Sequence, residues 1–407
     1  MSGRASPVGR PEPSPVEATG IPSCPVCSAA PELHFHSQAS VPAHSCVLLE
    51  SAEDAARFPT GAIDLALCAS CGCIWNTAFD RALVRYDEDY EDTQACSPHF
   101  RSFARALAGE LVERYGIVGK RVVEIGCGKG DFLRLLCELG ANRGVGIDPA
   151  VEPERTLQPE LVELVAGRYP GSHGDVTADL FVCRHTLEHL PDAAALVAAM
   201  ALGARQSGGA LVYVEVPDVA RILEEGAFWD VYYEHCCYFG AASLERLAQG
   251  AGLLSLDLRT GYDGQYLLLF ARPAPAVKAA VVPPGEIERI DAAARRFSHR
   301  YEKEADRWNT FLEKMRREGR RVALWGSGSK AVAFLGAVDG TDVVESVVDI
   351  NPRKQGNYMA RVPHRIVAPE HLLDSRPDVV IAMNPVYLDE IGKRLSSLGL
   401  DPELLAL

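Results

Sequence analysis

Arg121-Val-Val-Glu-Ile-Gly126-Cys-Gly128-Lys-Gly130-Asp-Phe-Leu-Arg-Leu-Leu136 decides the fold of this 407-residue chain. Val122, Val123 and Ile125 read as a short buried strand, and three glycines at alternate positions then turn the chain into a helix beginning near Asp131. Glycine suits that turn because the backbone must take special dihedrals and let a ligand come close. The pattern is G-x-G-x-G, preceded by Glu124 and followed by Gly144-Val-Gly-Ile-Asp148, a second strand ending in a carboxylate. A carboxylate there can accept both hydroxyls of a ribose, and the turn leaves room for a neutral nucleoside rather than a pyrophosphate. The competing reading is any nucleotide-binding doubly wound sheet.

These residues resemble motif I and the acid after the second strand of class I S-adenosyl-L-methionine (SAM) methyltransferases. The resemblance implies a central Rossmann-like α/β sheet that holds SAM through Glu124, Gly126, Gly128, Gly130 and Asp148.

Composition bounds the rest. The length predicts two or three domains, and 47% hydrophobic with 24% charged residues is the make-up of a globular protein. A formal charge of -14 argues against a nucleic-acid partner, since phosphate contacts need a basic face. No apolar run reaches membrane-span length and Met1–Gly20 has no signal-peptide core, so a cytoplasmic protein with no membrane partner is expected. Its 12 cysteines then read as thiols or metal ligands rather than disulfides.

Residues 1–20 are too polar to bury a core and are expected to be disordered. A small zinc-binding domain is predicted over 21–80, where Cys24-Pro-Val-Cys27 and Cys68-Ala-Ser-Cys71-Gly72 form two C-x-x-C knuckles. Four protein ligands would make that zinc structural. The long spacer leaves Cys46, Cys73, Cys96, His34, His36 and His44 as substitute ligands, and redox-active thiols as the competing reading. The methyltransferase domain is predicted over 81–275. It opens with an acidic, aromatic linker whose Tyr86 and Tyr90 cover the domain junction or form a lid, and a helix follows from about Phe100 to Tyr115.

Leu180–Arg184 reads as a strand, followed by His185-Thr-Leu-Glu-His189-Leu-Pro191. His-x-x-Glu-His as a zinc-hydrolase motif requires an α-helix, and Pro191 argues against one. A short turn beside the SAM site, with His189 near the cofactor, is the better reading. After the Ala210–Pro217 strand comes Trp229-Asp-Val-Tyr232-Tyr233-Glu234-His235-Cys-Cys-Tyr238-Phe239, too aromatic for an idle connector. A long helix over 286–320 carries one apolar stripe and reads as a connector, with a coiled-coil dimer as the alternative. The last domain, 321–407, opens with Gly326-Ser-Gly328-Ser-Lys330-Ala331 and carries Asp349 after a second strand, a small Rossmann-like unit.

The order of these parts resembles the sugar C-methyltransferase family, which acts on nucleotide-linked 4-keto-deoxysugars in antibiotic biosynthesis. Its marks are Tyr233-Glu234-His235 with Tyr238-Phe239, and Gly326-x-Gly-x-Lys330 with Asp349-x-Asn351-Pro352-x-Lys354-Gln-Gly356. The resemblance implies that His235 is the general base, with Tyr233 and Glu234 beside it, and that the C-terminal unit engages the substrate's nucleotide. Two departures are visible: Gly126-Cys-Gly-Lys-Gly130 replaces the family's G-S-N-D-G-like loop, and Cys236-Cys237 replaces Leu-Ser. The expected chemistry is removal of a proton beside a ketone by a near-neutral base, with Tyr233 or His185 as donor to the oxyanion. An extended loop would put Tyr233 and His235 on one side and Glu234 on the other. The rivals are a SAM-dependent O-methyltransferase acting on a sugar or natural-product hydroxyl and an NAD-linked oxidoreductase. A monomer or homodimer is expected.

Overall fold

A computed structural model describes residues 20–86, 89–151, 158, 160–274 and 284–407. The disorder expected for 1–20 falls almost wholly outside the described residues. Three sheets organise the described residues.

The first has the order β1-β2-β3-β9, from β1 (Leu33–Pro42), β2 (Thr60–Leu67), β3 (Ile74–Asn76) and β9 (Cys237–Tyr238). Its last strand comes from the middle of the chain, so a boundary at residue 80 does not separate this sheet from the methyltransferase domain.

The central sheet has β4 (Arg121–Ile125), β5 (Arg143–Asp148), β6 (Val162–Ala166), β7 (Leu180–Arg184), β8 (Leu211–Pro217), β10 (Leu253–Gly261) and β11 (Tyr266–Pro273). The order is β10-β11-β8-β7-β4-β5-β6, with β11 antiparallel to β8 and the inner strands parallel. These strands read as apolar runs because both faces are covered; β7 is buried throughout. Strand order reverses between β4 and β7, and open α/β sheets bind ligands at the carboxyl ends of such strands.

The third sheet, order β14-β13-β12-β15-β16, is parallel throughout: β12 (Val322–Trp325), β13 (Val344–Val348), β14 (Ile366–Val367), β15 (Val379–Ala382) and β16 (Glu403–Ala406). Its reversal lies between β12 and β15, and Gly326 follows β12 directly while Asn384 lies two residues beyond β15.

The long helix runs Pro284–Glu318. Its stripe (Ile290, Ala294, Phe297, Trp308, Leu312, Met315) is buried within this chain, which removes the face a coiled coil would need. Ser298 Oγ donates to Phe35 O at 2.6 Å, and Arg300 donates to Leu223 O at 2.9 Å, so one helix fastens both β1 and the helix Val219–Glu225. No helix among the described residues is long and apolar enough to cross a membrane.

Candidate active site

β4 delivers its chain into the predicted turn. Gly126, Gly128 and Gly130 all have positive φ (69°, 52° and 75°), and the helix Asp131–Gly140 follows. At Gly126 a Cβ would overlap the Thr186 side chain, whereas above Gly128 the nearest atom, Asp92 Oδ1, stands off at 3.9 Å. Asp148 Oδ2 accepts from Gly128 N at 3.0 Å and Oδ1 from Ala150 N at 2.7 Å. Each oxygen keeps a further lone pair for a ribose hydroxyl. Glu124 is buried with Oε2 unpartnered, and burial pushes its carboxyl up to about 8 against the pull of Arg184. An orphaned acid beside an open glycine turn fits a cationic nucleoside such as SAM.

Glu124, Gly126, Gly128, Asp148 and His189 line a cavity of about 1410 Å³; Gly130 does not, and packs against Leu164 instead. The same cavity is lined by Gly326, Ser327, Gly328 and Asp349 of the C-terminal sheet. There Asp349 Oδ2 accepts from Ser327 N at 2.9 Å, the counterpart of the Asp148–Gly128 bond.

The wall between the two turns is built from histidines. His185 follows β7 with φ +48°, a left-handed conformation costing roughly 1–3 kcal/mol outside glycine. Its N–H donates to Glu215 O at 2.9 Å, and its ring Nε2 lies 2.8 Å from Glu215 Oε1. Burial alone would lower its pKa, but the neighbouring carboxylates of Glu188 and Glu215 outweigh it and raise His185 to about 9. Glu215 itself, opposed by burial but paired with Arg184 and His185, is held down at about 2. Leu187–His189 forms a single 3₁₀ turn, so the His-x-x-Glu-His rings do not share an α-helical face.

His235 is 5% exposed and lines the cavity. Burial, then His189, His185 and Lys330, holds its ring well below the usual histidine range, so it is neutral. Nε2 lies 3.0 Å from Tyr232 Oη, and Nδ1 has no partner among the described residues. The His189 ring stacks edge-on at 4.8 Å, and Tyr86 Oη lies 2.8 Å from His189 Nδ1. Tyr86 and Tyr90 are therefore part of the cavity wall. Glu188, His189 and His235 bring a carboxylate and two rings within 4.8 Å of one another.

Two expected neighbours lie elsewhere. The loop is not extended: His235 N donates to Tyr232 O at 3.2 Å, and this turn brings residues three apart together. Tyr232 thus takes the place expected for Tyr233. The Tyr233 ring packs on Phe79, and its hydroxyl accepts from Asp80 N at 2.6 Å, outside the cavity lining. Glu234, 1% exposed, also points away, with Oε1 2.8 Å from His44 Nδ1 and Oε2 accepting from Ser45 N at 3.0 Å. Tyr232 stood in the aromatic run that drew attention to this loop. No local signal links His44 to a residue 190 positions later.

Cys24, Cys27, Cys68 and Cys71 place their sulfurs within 4.8 Å of one another, with Cys24–Cys71 at 3.5 Å and Cys27–Cys68 at 3.4 Å. A tetrahedral cage with Zn–S near 2.3 Å has sulfur–sulfur edges of about 3.8 Å. Hydrogen bonds from Cys68, Cys71 and Cys73 hold Cys24 well below the usual thiol range. Donor set and spacing fit zinc. Of the substitute ligands, the three histidines are otherwise engaged: His34 with Asp64, His36 with Ser298, His44 with Glu234.

The strand order of the central sheet, its acid–glycine turn and the carboxylate ending the next strand define a class I SAM-dependent methyltransferase. Residues 100–256 match the model of the methyltransferase domain, and residues 286–399 match that of the C-methyltransferase C-terminal domain. C-methyltransferase NovU of Streptomyces niveus is 27% identical over 396 residues, 91% of each chain. The chain is thus a SAM-dependent C-methyltransferase of this two-part kind. A ubiquinone biosynthesis O-methyltransferase of Aeromonas salmonicida is 28% identical over 192 residues, covering 39% of this chain and 79% of its own. Its counterpart in Cupriavidus pinatubonensis is 34% identical over 169 residues, covering 35% and 64%.

Proposed function

We propose that the protein methylates the carbon beside a ketone in a nucleotide-linked keto-deoxysugar, with His235 as the base. The observation that carries this reading is the neutral, buried His235 ring with Nδ1 unpartnered, facing a cavity it shares with both glycine turns. A carbon becomes nucleophilic only when a C–H next to a carbonyl loses its proton. Nδ1 of His235 is a free acceptor for it. The resulting enolate oxygen is stabilised by nearby positive charge. His185, held protonated up to about pH 9 by Glu188 and Glu215, lines the same wall and supplies that charge. Tyr232 holds the His235 ring through Nε2, and Nδ1 is the acceptor in the tautomer whose Nε2–H donates to Tyr232 Oη. SAM, held by Glu124, Gly126, Gly128 and Asp148, supplies an electrophilic methyl group.

Size supports a large substrate. A drug-sized ligand occupies roughly 300–1,000 Å³, and the cavity, about 1410 Å³, has room for a second ligand beside the cofactor. The Gly326–Lys330 turn and Asp349 give that ligand a nucleotide-type seat, in line with the resemblance to sugar C-methyltransferases. Zinc in the cysteine cage takes no part in any step.

The test is proton exchange. With a nucleotide-linked 4-keto-deoxysugar in deuterated water and a non-methylating SAM analogue, the enzyme should exchange the proton beside the ketone. His235→Ala should not. A methyl found on oxygen, with no exchange, would replace this reading by O-methylation.

A further inference from the structure

The cysteine cage and the loop that carries His235 belong to one sheet. β3 begins three residues after Cys71 and pairs antiparallel with β9, Ile74 opposite Tyr238 and Trp75 opposite Cys237. Asn76 N donates to Cys236 O at 2.9 Å, extending the ladder to the residue next to His235. The knuckle is tied to β3 at its other end: Cys68 N donates to Cys73 O at 2.9 Å, and Gly72 N to Cys68 O at 2.8 Å. On its far side β3 is held by β2, with Leu67 opposite Ile74. A chain of backbone hydrogen bonds therefore runs from the sulfur ligands to the active-site wall.

The loop's own backbone adds little to this ladder. Between Val231 and Cys236 its own backbone bonds are two turns, His235 N to Tyr232 O and Cys236 N to Glu234 O, both at 3.2 Å. A two-residue strand such as β9 is not stable without a template. His189 Nδ1 lies 3.2 Å from Glu234 O and Val219 N donates to Phe239 O at 3.0 Å, and a buried side-chain anchor comes from the same N-terminal segment. Ser45 N donates to Glu234 Oε2 at 3.0 Å, and His44 Nδ1 donates to Oε1 at 2.8 Å. His44 Nε2 accepts from Arg85 N at 2.8 Å, which fixes the Nδ1–H tautomer. Tyr232 holds the His235 ring within the loop, and β3 and this pair hold the loop itself in place.

We propose that the four-cysteine cage is the positioning device for the catalytic loop. Zinc fixes the knuckle, the knuckle fixes β3, and β3 is the template on which the His235 segment folds. The cage is then a support of the active site, and Cys24, Cys27, Cys68 and Cys71 act through β3 without touching substrate. The inference rests on the proposed function only in taking this loop as active-site wall. Its readouts are ring signals and cofactor binding, so either idea can fail alone.

The test uses the full chain labelled with ¹⁵N-histidine, the His235 ring signals being assigned by their loss in His235→Gln. In the zinc-loaded protein His235 should give one sharp set of neutral-ring signals. Stripping the metal with a chelator should broaden or shift that set, while SAM affinity by calorimetry stays within about threefold, since the SAM turn is built on β4 and β5. Cys27→Ser, which keeps three thiols, is the milder lesion. Its His235 signals should return in step with zinc occupancy as metal is added. Signals indifferent to zinc occupancy overturn the proposal. So does a loss of SAM binding in parallel with the signals, since the metal would then support the whole fold rather than this loop. Finding no zinc in the purified protein overturns it as well.

Discussion

Tyr232 Oη lies 3.0 Å from Nε2 of His235, three residues on across a turn. The bond orients the ring and leaves Nδ1 without a partner among the described residues. His235→Ala should cut turnover by roughly 10²–10⁴-fold while leaving SAM affinity near wild type, the range for one positioned acid–base group. Tyr232→Phe removes only the orienting bond and should cost about tenfold, the equivalent of one neutral hydrogen bond. Tyr233→Phe should cost less activity than Tyr232→Phe. The reverse ranking in steady-state turnover would return the role to Tyr233.

The pH profile of kcat/KM should be a plateau with two limbs. His235 acts as a neutral ring and is held below the usual range, so the acid limb falls below about pH 6.5. His185 acts as a cation, so activity declines as pH rises through about 9. His185→Gln should lower the plateau and abolish the alkaline limb. The same group makes a stability claim. Its folded pKa is raised, so its contribution is complete below about 6.5 and lost as pH rises through about 9, on the order of 3 kcal/mol. Melting temperatures of wild type and His185→Gln should therefore converge above pH 9. A constant difference across that window would remove His185 as the titrating group.

Glu124 predicts proton release on cofactor binding. Burial raises its carboxyl to about 8, and a bound cation must lower it. Near pH 7.5 SAM binding should release a fraction of a proton, read as a dependence of calorimetric enthalpy on buffer ionisation heat. Glu124→Gln should abolish that dependence. Asp148→Ala should weaken SAM by on the order of 1–3 kcal/mol, as it loses both ribose contacts and the bond that shapes Gly128. Unchanged affinity would move the cofactor away from β5.

Metal analysis should find one zinc per chain. Cys68→Ser should lose it and destabilise the N-terminal segment by several kcal/mol. Full thermal stability in a metal-free wild type would rule out the cage.

What the sequence determined by itself are the features whose constraints are local. Gly126, Gly128 and Gly130 require positive φ, and the turn between β4 and its helix can be read from them alone. Two C-x-x-C knuckles carry their ligand spacing within four residues each. The apolar stripe of the long helix repeats every turn, whatever it packs on. The tertiary structure decided what depends on which neighbours fill the space. A period-two reading of Tyr233-Glu234-His235 was the natural expectation, but the segment is a turn, and Tyr232 rather than Tyr233 meets His235. The turn exists because β3 and His44, far away in the chain, accept the other side of the loop. Glu234 is drawn out of the cavity for the same reason. A buried carboxylate goes where it can be paired, and the His44 imidazole and Ser45 N–H that pair it come from a part of the sequence that only folding brings near.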